Sequence, residues 1–549
     1  MSFGFRLAVM FWVACLGILV ASATAPASDD LGDEPSLWQV RAPDAASRTA
    51  LVEMGMDVLD VNTRSGLVTV LVSAIEVAEL QAAGFAATPI GAIPRDMPNG
   101  YDAYHDYDES TAEIEALHDL APDITRVFSI GVTHEGRELW ALVISDNPDL
   151  NEADEPAFVL VAQHHAREIL TVEVALGAAR RIVEGYGVDE RLTALVDSRE
   201  IIIIPTINPD GALFDQISPS FLLWRKNRRP SNAPSFCWGV DLNRNYSMGW
   251  GGPGASAVPC MLTWHGPSAF SEPETAALRD LITARDDVGT LITLHTYSEL
   301  ILWPWSHQSE PIDDPVASES FETLANTFAG FNGYTPQRGA ELYLASGDTI
   351  DWAWGTLGIF AFTFELSPSS PLGGAFYPDA SIIPPTIDAN FEPIVLAAGL
   401  AAEPRRVLST DLWKLRVEGT VETLQLVWAP WIETAPAGWN VDRRDPDGDR
   451  TRLNDEPIPP GQGAYAWDLD APVEPGTYEY IVEYVSAVSP DRNIEFAVMY
   501  EVGDDDDDDT DDDDSEDDDA SNDDLNDDTD GEAAEESENG EDAEGGCSC

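Results

Sequence analysis

The chain has 549 residues and a formal net charge of -70, with 99 acidic residues against 29 Lys and Arg. Such a length exceeds one domain and suffices for a large buried core, so several pieces are expected. From Asp504 to Cys549 there are 26 acidic residues and no Lys or Arg, yet about -44 remains without them; a surface this acidic excludes nucleic acid and anionic membranes as partners and suits a salty exterior where counterions screen self-repulsion.

The N-terminus places Arg6 ahead of an apolar run from Leu7 to Val20, followed by small residues at Ala21, Ala23 and Ala25. That pattern makes residues 1–25 a secretory signal peptide, and the run is too short to span a bilayer. No other segment reaches its length, so a secreted protein without a transmembrane segment is expected. From about Leu37 to Ile90 short strands and helices alternate. Trp38 to Arg41 reads as a strand, Ala45 to Gly55 as a helix, and DVLDV and LVTVLV as strands parted by a turn at Ser65 and Gly66. Ser73 and Glu76 then form a capping box for a helix that Gly84 stops, and FAATPI is a last strand. Strand, helix, two strands, helix and strand make a ferredoxin-like α+β unit with no catalytic constellation. Residues 26–98 are therefore read as a prosegment, and IPRDMPNGYDAYHDYDE as a linker with the processing site.

Residues 99–402 change to long apolar strands between amphipathic helices. AFVLVA, IIIIPT, LITLH and AFTFEL suit central strands covered on both faces. Helices are expected from Glu168 to about Glu184 and from Ser271, with Glu274 completing a capping box. The fold class is α/β, a mixed and largely parallel central sheet flanked by helices, whose active residues gather beyond the carboxyl ends of the strands. His165, His295 and Glu365 all fall there. Residues 403–502 lose the helical period and alternate as TYEYIVEYV and IEFAVMYEV between turn signals, the mark of an antiparallel β-sandwich whose Trp413, Trp428 and Trp431 build its core. Residues 503–549 are a disordered acidic tail by composition.

Chemistry concentrates in QHHARE, Gln163 to Glu168, where His165 and Glu168 stand three apart at a strand exit, and in TLHTYS, where His295 closes an apolar run. Two imidazoles and one carboxylate leave a tetrahedral zinc with a free position for water, as hydrolytic sites require. His164 adjoins the ligand, but neighbours on an extended segment face opposite ways, so its role is structural. In an exported protein Cys237 and Cys260 default to a disulfide.

HxxE alone is weak, but WRKNR at Trp224, GVDLNRNY at Gly239, GPSAFSEPE at Gly266, LHTYSELILWPW at Leu294, LYLASGDTIDW at Leu342 and FTFEL at Phe362 follow in one order. Together these segments resemble the zinc carboxypeptidases of the carboxypeptidase A type, most closely the secreted bacterial carboxypeptidase T group, over roughly Tyr101 to Ala402. The resemblance implies one Zn²⁺ held by His165, Glu168 and His295, with Glu365 as general base and Arg225 stabilising the oxyanion. It also implies that Asn243 and Arg244 bind the C-terminal carboxylate, Tyr343 closes over it, and Arg167 and Tyr297 contact the residue upstream. Ile350 and Asp348 match positions at the pocket for the terminal side chain, where an apolar residue favours apolar termini and the acid accompanies broad specificity; Asp348 as a mere turn cap is the competing reading. Cys237 and Cys260 match a disulfide of the family.

The function implied is a monomeric, secreted zinc metallocarboxypeptidase made as a zymogen, acting on peptides and proteins with a free C-terminal carboxylate. An amidase acting on cell-wall peptides is the alternative. A catalytically silent surface binding protein predicts loss of a ligand or of the base, and none is missing. The ending GGCSC resembles the start of a cysteine-containing C-terminal sorting signal without its hydrophobic stretch, which allows cell-surface attachment through Cys547 or Cys549.

Overall fold

The computed structural model describes residues 35–92 and 101–502, apart from 153–154, 218–220, 233, 235–236, 421–422, 434–435 and 473. The signal peptide, residues 93–100 of the linker and the acidic tail with Cys547 and Cys549 lie outside the described residues. The N-terminal unit runs β1 (Ser36–Arg41), α1 (Ala45–Glu53), β2 (Asp57–Asn62), β3 (Leu67–Val72), α2 (Ala74–Ala82) and β4 (Ala87–Gly91). Its sheet is antiparallel in the order β2-β3-β1-β4. Both helices open on capping boxes, Asp44 with Ser47 and Ser73 with Glu76, which satisfy backbone N–H groups that the first turn leaves free. Because strand side chains alternate, Val68, Val70 and Val72 of β3 pack under the helices with Val40, Leu51 and Leu80. The other face presents Leu37, Leu59 and Leu71, and these bury against Tyr104, Phe221, Tyr297 and Phe376 of the next unit.

That unit contains α3 (Tyr107–Leu120), β5 (Thr125–Val132), β6 (Glu138–Ile144), β7 (Ala157–Ala162), α4 (Leu170–Gly185), α5 (Glu190–Val196), β8 (Glu200–Ile204), α6 (Pro209–Asp215) and α7 (Pro273–Thr283). It continues with β9 (Val288–Thr296), β10 (Leu300–Trp303), α8 (Pro315–Asn332), β11 (Thr335–Arg338), α9 (Gly339–Leu342), α10 (Thr349–Leu357), β12 (Phe360–Leu366) and α11 (Ile383–Gly399). The eight strands form one sheet in the order β11-β10-β12-β9-β7-β8-β6-β5. The four continuous apolar runs are its parallel centre, β12, β9, β7 and β8. Alternation along β7 sends Phe158, Leu160 and Ala162 into one core and Val159 and Val161 into the other, which explains why these strands are apolar throughout.

One helix start differs from expectation. α7 begins at Pro273 with Glu272 as N-cap and no side-chain cap. Ser271 Oγ instead accepts from Asn245 Nδ2 at 3.0 Å and donates to Glu272 at 2.6 Å, while Glu274 turns inward to accept from Asn227 at 3.0 Å. Buried partners outbid the local capping pattern.

The last unit comprises β13 (Thr410–Glu418), β14 (Gln425–Glu433), β15 (Pro436–Arg444), β16 (Arg450–Arg452), β17 (Tyr465–Asp468), β18 (Gly476–Ser486) and β19 (Ile494–Val502). Two antiparallel sheets, β13-β14-β17 and β16-β15-β18-β19, enclose Trp428, Trp439 and Tyr465. Trp431 faces the other way, joining Val407 and Leu408 in the apolar core of the central unit, with Trp413 beside it. Gly399 of α11 admits the indole: a Cβ there would sit 2.6 Å from its ring.

Candidate active site

Three adjacent parallel strands assemble the site. β12 pairs with β9 so that Glu365 lies opposite His295, and β9 pairs with β7, whose carboxyl end leads into Gln163. Gln163 takes a left-handed backbone (φ 58°), which bends the chain out of the strand at His164 and His165. Glu168 follows one turn later, just ahead of α4.

His165 Nδ1 lies 2.7 Å from Glu168 Oε1, His295 Nδ1 lies 3.0 Å from Glu168 Oε2, and the two Nδ1 atoms are 3.1 Å apart. All three side chains are buried. Two imidazole lone pairs facing one another beside a carboxylate need a cation between them, and this is a donor set that suits zinc. His165 Nε2 lies 3.2 Å from Asp241 Oδ1, an acceptor that fixes the ring proton on Nε2 and leaves Nδ1 free for a metal. His164 stays out of the group: its nitrogens go to Tyr246 Oη at 2.8 Å and Thr293 Oγ1 at 3.1 Å.

Asp241 also accepts from Arg225 Nε and Nη2 at 3.0 and 2.9 Å and from the Asn243 amide at 3.0 Å. Burial alone would raise its pKa, but Arg225, Arg244 and His165 hold it well below the usual carboxylate range. It thus locks one histidine and one arginine of the site together as an anion. Glu365 is driven the other way, raised by burial and by the charge of Glu168 against the pull of Arg225 and Arg244.

The expected residues His165, Glu168, His295, Arg225, Asn243, Arg244, Tyr343, Arg167, Tyr297, Asp348 and Glu365 all line one cleft. Ile350 does not; it lies in the core beneath, with Tyr246 and Trp352. Asp348 is at once a cleft residue and the N-cap of α10, accepting from the Asp351 amide at 2.9 Å. Asn243 Oδ1 accepts from Thr349 N and Oγ1, both at 2.9 Å, and Arg244 is braced by the carbonyls of Gly254 and Asn243 at 3.1 and 2.7 Å. Cys237 and Cys260 form a disulfide across the loops that flank this turn.

The N-terminal unit enters the same cleft through Val58, Leu59, Asp60 and Val61. Asp57 grips Arg167 with both oxygens at 2.7 and 2.8 Å. Arg48 donates to the carbonyls of Leu342 and Glu341 at 2.5 and 2.6 Å, and Thr49 Oγ1 accepts from Leu344 N at 2.9 Å, so the backbone on both sides of Tyr343 is held. Sequence reasoning missed these contacts, and it missed Asp241, whose signal was an acid inside GVDLNRNY with no role given to it.

The sequence profile described as zinc carboxypeptidase matches residues 110–393. The chain belongs to the zinc carboxypeptidase family. A zinc carboxypeptidase of Saccharothrix mutabilis subsp. capreolus is 32% identical over 398 residues, covering 67% of this chain and 90% of that protein. Mouse carboxypeptidase A2 is 36% identical over 296 residues, 53% of this chain and 68% of the relative. In fold, the carboxypeptidase A of Helicoverpa armigera superposes with a TM-score of 0.58 at 24% identity, covering 68% of this chain and 98% of that one. This zinc carboxypeptidase is therefore a metal-dependent peptide hydrolase with one catalytic zinc, for which the chain presents a His-Glu-His site. Among the described residues no helix is long and apolar enough to cross a membrane.

Proposed function

We propose that the chain is a secreted, monomeric carboxypeptidase made as a zymogen, which removes single residues of broad type from peptide C-termini. The observation that carries this reading is the convergence of the His165–Glu168–His295 trio, Glu365, Arg225 and the Asn243–Arg244 pair on one cleft. Zinc held by His165, Glu168 and His295 would polarise the scissile carbonyl and supply a water of lowered pKa. Glu365 takes a proton from the attacking water on its carboxylate and returns it to the leaving amine nitrogen. Arg225 spends Nε and Nη2 on Asp241, which leaves Nη1 for the carbonyl oxygen as negative charge develops there. Arg244 and Asn243 bind the terminal carboxylate through a fixed guanidinium and amide. Tyr343 closes over it, Arg167 and Tyr297 hold the residue upstream, and Asp348 faces the terminal side chain. A cleft equipped for a free carboxylate favours ordinary peptide C-termini over other amides.

The zymogen part rests on residues 35–92. With Asp57 on Arg167 the upstream subsite is filled, and with Arg48 and Thr49 on the backbone around Tyr343 that residue is kept from closing. Cleavage in the linker would release both holds. Secretion rests on the charge and apolar pattern of residues 1–25, and attachment to a surface would go through Cys547 or Cys549.

The test incubates enzyme activated by limited proteolysis with peptides differing only in a last residue of Phe, Leu, Arg, Lys or Glu, with and without chelator, beside Glu365→Gln. Chelator-sensitive release of single C-terminal residues is expected, with Glu365→Gln slower by at least about 10²-fold. No release from any peptide by folded, zinc-loaded enzyme would sink the reading.

A further inference from the structure

Beneath the cleft floor lies a second acid that the catalytic reading does not use. Asp351 follows Asp348 by one turn at the start of α10 and is fully buried. Its carboxylate accepts from the Ser306 amide at 2.9 and 3.0 Å, the His307 amide at 2.8 Å and His307 Nδ1 at 2.6 Å. Neither Asp351 nor His307 lines the cleft, whereas Asp348 and Ser306 do. The His307 ring is held edge-on to Trp305 at 5.1 Å and against Gly249, where a Cβ would come within 3.0 Å of it. Among the described residues it is the one basic side chain hydrogen-bonded to either carboxyl.

Two carboxyls this close share an electrostatic fate. Burial and the charge of Asp351 push Asp348 toward its protonated form, with the Ser306 hydroxyl, the Asp351 amide and Arg244 opposing. A neutral Asp348 gives the cleft an uncharged floor that takes apolar side chains, and an ionised one takes Lys or Arg. The hydrogen bond from His307 Nδ1, on the far side of Asp351, draws that carboxylate's electron density away from Asp348.

We propose that His307 is a positioning residue for specificity: hydrogen-bonded to Asp351, it sets how readily Asp348 carries charge at the cleft floor, and thereby the balance between basic and apolar C-terminal residues. This rests on the reading that Asp348 faces the terminal side chain. The test measures kcat/KM for peptides ending in Arg and in Leu with the zinc-loaded full chain after proteolytic activation, in Asp348→Asn, His307→Gln and His307→Phe. Asp348→Asn should lower the Arg-to-Leu ratio by at least about tenfold, and both His307 variants should lower it by about three- to tenfold while Leu release stays within about twofold. If Asp348→Asn shifts the ratio and neither His307 variant does, the coupling is wrong and the cleft-floor reading survives. Equal losses for both peptides in the His307 variants would mark a merely structural role and overturn the proposal. An unchanged ratio in Asp348→Asn would overturn the cleft-floor reading and the proposal with it.

Discussion

Asp241 touches no substrate in the proposed reading, yet it holds His165 by Nε2 and Arg225 by two nitrogens. Asp241→Asn is therefore predicted to weaken zinc binding by about 10- to 100-fold, read by competition with a chromophoric chelator. Unchanged affinity would mean that the acid does not set the histidine tautomer. Glu274 gives a pH prediction. Burial, with the charge of Glu272 added, pushes its carboxyl up to about 8 from 4.5. The folded state keeps a proton that the unfolded chain releases above about pH 4.5, so this group costs stability progressively as pH rises from about 4.5 to 8 and no further beyond. Glu274→Gln keeps the hydrogen-bonding shape without the ionisation, so calorimetry should show a smaller fall in Tm between pH 5 and pH 8 than in the wild type. Parallel slopes would assign the titration elsewhere.

At the scale of elements, local rules worked where the backbone was exposed and failed where it was buried. Ser73 and Glu76 cap α2 as their spacing predicts, because nothing else competes for them at the surface. Ser271 and Glu274 carry the same spacing, but Asn245 and Asn227 claim them. The strand pattern of residues 35–92 was legible, but which face would be covered was not, since both faces are apolar. Strand β2 carries the contact that matters there, Asp57 on the buried Arg167. Removing one partner of a buried ion pair typically costs about 3–5 kcal/mol. Asp57→Asn should therefore loosen the N-terminal unit and raise the activity of the uncleaved chain on short peptides. Equal basal activity in mutant and wild type would count against the proposal that Asp57 keeps the uncleaved chain latent.

For the whole molecule, the alternation read from sequence suggested a β-sandwich over residues 403–502 with Trp431 in its own core. The structure instead runs one apolar core through the junction, with Trp431, Val407 and Leu408 packed among residues of α8 and α11. Trp431→Ala is predicted to cost about 3–5 kcal/mol and to lower the Tm of a single cooperative transition. Two separated calorimetric transitions in the wild type would show that the units unfold independently. Among the described residues the sandwich packs against α5 and α11, reaches α8 through the Arg492–Glu319 ion pair, and adds no residue to the cleft.

Sequence by itself determined the order of elements in residues 35–92, the four apolar strands of the sheet centre and a candidate metal trio, because hydrophobic period and ligand chemistry are properties of residue type and spacing, while the motifs that fill the cleft came from the resemblance to the zinc carboxypeptidases. Tertiary structure alone decided what shares a partner with what. Asp241 between His165 and Arg225, Asp57 on Arg167, Ile350 in the core below the cleft, and His307 on Asp351 each join residues that lie on different segments or whose orientation depends on packing. Such pairings are set by how strands and loops stack in space, and no local pattern along the chain encodes them.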